Sequence, residues 1–301
     1  MTTSVTLHFQ SEAFRRLCFW ITEHDRIRLA KEAGRPKPWT QNEHLQNNRW
    51  CNVYRMHDRV SQYLLNTWYA DDLLASPAQI AVNAAMARLI NWPDSLEELR
   101  AAEQNQNFNP AIAHDVLSAR ANRGDKVFTG AYKVSGIRGE DKVTTVIGQC
   151  DRVFHGYARL IDPTSMERTH LRLQAIPAIG PFMAGQIVAD LRYVHRGTWA
   201  DRDTWAPLGP GSERGIAWLR GWNGLSDAPK LSQSAFVVAI RQVRTALDAT
   251  PEVRRVLERV GAEMHDVQNC LCEFDKLSRL TAGTGSAKNA YPGKSNYHMI
   301  S

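Results

Sequence analysis

The chain has 301 residues, 43% hydrophobic and 23% charged, a globular composition with length enough for one large domain or two smaller ones. Its formal net charge of +6, with a pI near 9.1, suits an anionic partner without requiring one. No run approaches the roughly 18 apolar residues of a membrane span, "MTTSVTLHFQ" lacks a signal peptide's basic start and apolar stretch, and five cysteines without CxxC spacing disfavour a disulfide framework or a structural zinc. The expectation is a cytoplasmic protein with reduced thiols, no metal and no membrane contact.

Phe14, Leu17, Cys18 and Ile21 repeat at i, i+3, i+4, i+7 and predict a first amphipathic helix. "EAGRPKPWT" (Glu32 to Thr40) resists helix assignment. Asn52 to Tyr63 is read as helical; helices are also read over "RVSQYLLNTWYAD", which overlaps its end, and "AQIAVNAAMARLI", and one is started by "NWPDSLEELRAA" with Asp94 or Ser95 as its cap. Between Lys126 and Val153, β-branched residues mixed with glycines leave room for a short β-hairpin. "LRLQAIPAIGPFMAGQIVADLRY" (Leu171 to Tyr193) sets Pro177, Gly180 and Pro181 between a helix end and a new helix with Met183, Ile187 and Leu191 on one face. "TWAPLGPGSERGIAWLRGWNGLSDAPK" (Thr204 to Lys230) reads as a long functional loop. Helices with Phe236, Ile240, Val243 and Leu247, and then Val253, Val256, Leu257 and Val260, lead to a final segment around "NCLCEFDKLSRL". The fold class expected is mainly α, one two-lobed helical unit over 1–301 with a lobe boundary near 124–142 and a flexible tail over 284–301.

Four constellations could carry chemistry. On a helix, Asn52, Arg55 and Arg59 share a face beside Asp58, with Arg49 upstream; such guanidinium forks suit a phosphate, or else form a solvated face whose ion pairs contribute ~0.3–0.5 kcal/mol each. The Pro/Gly bend is either a turn between core helices or a helix N-terminus whose amides, around Ile179, Gly180 and Phe182, favour anionic oxygens. Glu273 and Lys276 share a helix face with Asp275 between them, an acid/base set or a surface salt bridge. "GPGSERG" places Gly209, Gly211 and Arg214 where a phosphate could bind, or makes a plain turn.

The bend resembles the helix-hairpin-helix motif of DNA-repair glycosylases, a family with glycine where Ala178 stands. Taken together, "RPKPWT", "NNRWCNVYRMHDRVSQYL", "IPAIGPFMAGQIVADLRY", "APLGPGSERGI" and "LCEFDKLSR" resemble, from about Arg26 to Tyr291, the α-glutamyl/putrescinyl thymine pyrophosphorylases of bacterial viruses. These amino acid:DNA transferases are related to the helical domain associated with 5-hydroxymethyluracil DNA kinases. The resemblance implies a helix-hairpin-helix, glycosylase-like fold and an enzyme without a cofactor. The implied reaction, in host-cell cytoplasm, displaces the phosphate or pyrophosphate of activated 5-hydroxymethyluracil in double-stranded DNA with an amino acid or polyamine. It also implies a carboxylate base. Asp190 lies in the matching motif, and Asp201 and Asp203 fall about twenty positions beyond the bend, where glycosylases carry an essential Asp. Asp190 and Asp203 lead, with Glu273 and Asp275 behind them. Cys51 is a candidate for transient attack on C6, or a buried structural thiol. Other readings are a glycosylase and a non-catalytic DNA-binding partner of such a kinase; no GxxxxGK[ST] phosphate loop occurs in the sequence.

Overall fold

The structure, a computed structural model, describes residues 5–70, 75–130, 134, 136–194, 199–222 and 228–285. Its helices are α1 (Glu12–Glu32), α2 (Glu43–Asn47), α3 (Arg59–Tyr63), α4 (Pro77–Ile90), α5 (Pro93–Ala101), α6 (Pro110–Asn122), α7 (Lys142–Leu160), α8 (Met166–Leu173), α9 (Pro181–Val194), α10 (Pro210–Leu219), α11 (Gln233–Asp248), α12 (Pro251–Val260) and α13 (Met264–Thr281). Two compact units emerge: Met1–Arg55 with Leu208–Ser301, and Met56–Pro207. The division therefore does not fall at 124–142. That stretch is tied into the second unit, where Ser95 Oγ donates to the Val127 carbonyl (2.7 Å) and Thr129 N to the Ile90 carbonyl (3.0 Å). The expected tail lies, beyond Gly285, outside the described residues.

In the first unit, α1 packs on α12 and α13, and α13 also carries α10. Phe14, Leu17 and Ile21 point inward from α1, Phe236, Ile240, Val243 and Leu247 from α11, and Val253, Val256, Leu257 and Val260 from α12, the faces their spacing predicts. Ser11 and Ser232 start α1 and α11 by accepting from Phe14 N and Ala235 N. The region expected to loop from Thr204 to Lys230 instead contains α10. Pro210 sits in its first turn, where no amide is lost, and glycines that weaken an isolated helix are required here by close packing.

In the second unit, α4 is the buried centre, against α7 and α9. Its residues from Ala81 to Ile90 are all buried, and Arg88 among them carries charge inward. No strand occurs among the described residues, so the anticipated β-hairpin is replaced at its C-terminal half by α7. Asp141 accepts from Val143 N (2.8 Å) and Thr144 N (3.0 Å), and this cap with burial of Val143, Val146 and Ile147 overrides β-propensity. Helix α5 is not capped by Asp94 or Ser95. Pro93 is its first residue, Trp92 precedes it, and Ser95 is a buried side chain inside the helix.

Helices α8 and α9 form the predicted hairpin, with one difference at its bend. The left-handed residue is Ala178 (φ 63°), while Gly180 has an ordinary φ and open space where a Cβ would stand. The bend is braced: Gln149 Nε2 donates to the Pro177 carbonyl (3.1 Å), and His170 Nε2 contacts the Pro181 carbonyl (2.9 Å). Since that carbonyl only accepts, Nε2 carries the proton and Nδ1 accepts from Gln174 Nε2 (3.2 Å), so His170 is neutral. Burial lowers its pKa and keeps it so. A left-handed alanine costs ~1–2 kcal/mol, and glycine there gives back ~0.5–1 kcal/mol in unfolded-chain entropy. Ala178→Gly should therefore raise unfolding free energy by about 0.5–1 kcal/mol in urea melts, whereas Gly180→Ala should leave it unchanged or slightly raised.

Candidate functional site

The first unit gathers most of the sequence-predicted site residues onto α13 and what packs against it. Along one face of α13, Asp266, Asn269, Cys270 and Glu273 lie at i, i+3, i+4, i+7. Three of them reach the segment before the first unit's break. Asp266 Oδ1 accepts from Arg55 N (3.3 Å), Asn269 Nδ2 donates to the Asn52 carbonyl (3.1 Å), and Cys270 Sγ lies 3.8 Å from the Val53 carbonyl. These contacts hold Asn52 to Arg55 outside a helix. The helix expected over 52–63 is thus broken, leaving only a 3-10 turn at Arg55–His57 and α3, which Asp58 precedes with extended backbone. Asn52, Arg55 and Arg59 do not share a helical face. Asp58 and Arg59 belong to the second unit, Arg59 exposed and Asp58 half-buried.

One turn further along α13, Lys276 Nζ donates to the Arg49 carbonyl, lies 4.3 Å from the centre of the Trp50 ring and 3.9 Å from Glu273 Oε2. The Glu273 and Lys276 side chains are 14% and 22% exposed. Behind them the aromatic series continues inward. Trp50 meets Trp20 at 6.5 Å, and Trp20 stacks on His24 at 5.2 Å. His24 is buried, and its pKa is lowered to about 3, first by burial and then by the charges of Lys31, Lys276 and Arg28.

The opposite side of α13 receives α10. A Cβ on Gly215 would stand 2.5 Å from the Leu271 carbonyl oxygen, and one on Gly211 2.9 Å from Cys272 Sγ. Gly209 likewise faces Gln268. These glycines let two helices touch at backbone distance. Asp275 is fully buried and saturated: Oδ2 accepts from Arg214 Nε (2.8 Å) and Arg279 Nε (3.1 Å), Oδ1 from Trp218 Nε1 (3.2 Å). It fixes Arg214, whose side chain remains 36% exposed. Cys272 feels both Arg55 and Arg214, which lower its pKa, but burial and the charges of Glu273 and Asp275 prevail and push it up to about 12. It is a neutral packing thiol. Cys51 is half-buried and forms no disulfide.

In the second unit, Asp190 is fully buried, in an ion pair with Arg88 and accepting from Tyr69 Oη (3.0 Å). Asp201 caps α8, accepting from Ser165 Oγ (2.8 Å), Met166 N (2.8 Å) and Glu167 N (3.1 Å). Asp203 is exposed in the turn that follows. At the hairpin, Ile179 is buried, whereas Gly180 is exposed and Phe182 is 39% exposed. Among the described residues no cluster of His, Cys, Asp and Glu has metal-binding geometry, and no helix is long and apolar enough to cross a membrane.

The fold and these sites describe an all-α protein, among the described residues, with a braced helical hairpin in one unit and a half-buried Glu273–Lys276 pair in the other. The chain belongs to the family described as the helical domain of 5-hmdU DNA kinases, which matches residues 11–286. It is 25% identical over 261 residues to a protein of Bacillus phage SP10 named 5-hmdU DNA kinase; the match covers 79% of this chain and 38% of the phage protein's length. No solved structure matches it.

Two outcomes test this geometry. Gly215→Ala must push helix backbones apart and should destabilise the protein by roughly 2 kcal/mol or more, read as a lower urea midpoint. For His24, the unfolded chain takes up a proton near pH 6.5 and the folded one only near pH 3, so stability is full above pH 6.5 and falls as pH is lowered through that window. Wild type should lose up to ~2–3 kcal/mol more than His24→Phe between pH 6.5 and 4.5, and parallel stability curves for the two would refute the assignment.

Proposed function

We propose that the chain is a DNA base-hypermodifying transferase that replaces the phosphate or pyrophosphate on activated 5-hydroxymethyluracil with an amine, from an amino acid or a polyamine. The observation that carries this reading is the half-buried Glu273–Lys276 pair on α13, in the same unit as Arg55, whose amide Asp266 binds, and Arg214, which Asp275 orients. Membership of a family described by hydroxymethyluracil DNA kinases supplies the substrate class.

The chemistry follows from what such a displacement needs. The amine nitrogen forms a bond to the methylene on C5, the methylene C–O bond breaks, and the electron pair leaves with phosphate. Arg55 and Arg214 stabilise the charge as it develops on the leaving oxygen. Arg214 is pre-oriented for this by Asp275, so little reorganisation is needed. The proton lost by the amine passes to the Glu273 carboxylate, which Lys276 flanks at 3.9 Å. Arg49 and Asn52, whose carbonyls accept from Lys276 and Asn269, are assigned to substrate binding beside this pair. Phosphates of the duplex are held by the hairpin through amides near Gly180, with Phe182 beside them. Asp190, saturated and enclosed, serves as architecture in this reading, and so does Asp275.

The test is mass spectrometry of nucleosides from DNA carrying phosphorylated 5-hydroxymethyluracil, incubated with the protein and a mixture of glycine, glutamate and putrescine. An aminated thymidine is expected. Release of free base would make the protein a glycosylase, and binding with unchanged nucleosides a non-catalytic DNA-binding domain. Glu273→Gln should lower product formation about 10²-fold or more and Arg55→Ala about 10²–10³-fold, each with affinity for unmodified duplex within about twofold of wild type.

A further inference from the structure

In the second unit, a cleft of about 580 Å³ opens between α7 and the turn that leads into the hairpin. Its α7 wall presents Arg152, His155, Gly156 and Arg159, spaced i, i+3, i+4, i+7 and therefore on one helical face. Its other wall is Ala175, Ile176 and Pro177. None of these residues has a part in the proposed amine displacement.

The cleft combines two surfaces. The floor is apolar: Gly156 has no side chain to fill the space, and Leu160 lies across it, 2.8 Å from where a Cβ would stand. The rim is cationic. Arg152 is exposed and its guanidinium Nη1 donates to the Gly148 carbonyl (3.0 Å) within its own helix; Arg159 is exposed too. Among the described residues neither forms a salt bridge with a carboxylate. The nearby arginines of α8 differ, since Arg168 (2.6 Å) and Arg172 (3.2 Å) are both engaged by Asp162. The one acidic group in the cleft, Asp151, is turned to His155, with Oδ1 3.4 Å from Nε2. The turn wall is rigid because Gln149 on α7 holds the Pro177 carbonyl.

We propose that this cleft seats a sugar–phosphate segment of DNA, deoxyribose against Leu160, Ile176 and Pro177, and phosphate oxygens on Arg152 and Arg159. The inference rests on the reading that the protein acts on DNA. Its physical basis is that a small apolar floor flanked by two guanidinium groups fits the alternation of sugar and phosphate, whereas a bare phosphate has no use for the floor. The cleft ends at Pro177, three residues before Gly180, so the strand that enters it continues onto the hairpin. The hairpin then grips by backbone amides and the cleft by side chains, and the two differ in salt dependence.

The experiment is fluorescence anisotropy with an unmodified duplex across a salt series, using the full chain. Each phosphate contact contributes ~0.9 to the slope of log K against log salt, so Arg152→Ala/Arg159→Ala should flatten the slope by about 1–2 and weaken binding about tenfold at moderate salt. Arg254→Ala/Arg255→Ala on the solvent face of α12 removes equal charge and should change the slope by less than half as much. Ala175→Phe keeps the charge and fills the cleft; it should weaken binding at least threefold. Equal flattening by both arginine pairs, or wild-type binding by Ala175→Phe, overturns the cleft. So does a raised KM for the amine donor with unchanged DNA binding in Arg152→Ala/Arg159→Ala, which would make the cleft a carboxylate pocket. Absence of salt-dependent DNA binding by wild type would sink the DNA reading itself, and the cleft with it; the variants overturn the cleft alone.

Discussion

The contact on which the first unit depends is that of α10 with α13, where Gly215 comes so close to the Leu271 carbonyl that no side chain fits between them. Helix axes usually stand 8–10 Å apart, at a distance set by the side chains at the crossing, and glycine at the crossing gives a close approach. Proximity then does two things. It brings the short Asp275 side chain within reach of Arg214 and Trp218 on α10, and it leaves the opposite face of α13 free to engage residues 49–55. A glycine-poor α10 would stand off, and Asp275 would be a buried charge with only Arg279 on its own helix to answer it. Such an under-compensated charge is strongly destabilising.

Burial sorts the carboxylates by role. Asp190, Asp266 and Asp275 are fully enclosed, and every one receives donors that tie separate segments together: Tyr69 and Arg88 to α9, Arg55 to α13, Arg214 to α13. A group so enclosed cannot exchange a proton with a substrate without losing the links that hold it. Glu273 is different in kind. It is half-buried, close to an ammonium group, and on the α13 face that carries Arg55. A carboxylate at the edge of solvent keeps a path for the proton and access for the amine, and this is why the proposed base is Glu273 rather than the Asp in the hairpin motif.

The amphipathic helices α1, α11 and α12 were legible in the sequence because one buried stripe at helical spacing is a local property. The hairpin was legible for the same reason, through its prolines. What was hidden depended on distant partners. Asn52 to Arg55 has a helix-compatible composition, but its backbone groups are taken by Asp266 and Asn269 more than two hundred residues away. The Gly-rich stretch from Gly209 reads as a loop until α13 is present to fill the space its glycines leave. The two-part first unit is invisible to any window, since its halves are separated by the whole of Met56–Pro207. At the site, Glu273, Lys276, Arg55 and Arg214 were each singled out, but the spacing argument that linked Arg55 to Arg59 rested on a helix that does not form; Cys272, which both arginines influence, gave no signal beyond its CLC context.

The position where glycosylases keep an essential Asp bears on the chemistry. Asp201 in that region uses both oxygens to cap α8, and Asp203 is exposed beside it. Base excision needs a carboxylate close to the sugar, to activate a nucleophile or to stabilise a cationic sugar as the base departs. Displacement at the C5 methylene makes no such demand. There the bond that breaks carries negative charge outward onto phosphate, so the required stabilisation is cationic, and the only proton to be removed is on the incoming amine. The proposed reaction therefore asks for no carboxylate beside the hairpin, where Asp201 caps α8, provided that arginines stand elsewhere. In this protein Arg214 stands beside the glycine-packed contact, held by Asp275, and Arg55 on the other face of α13, held at its amide by Asp266, so the proposed reaction class matches the sign of charge that these two cations would receive.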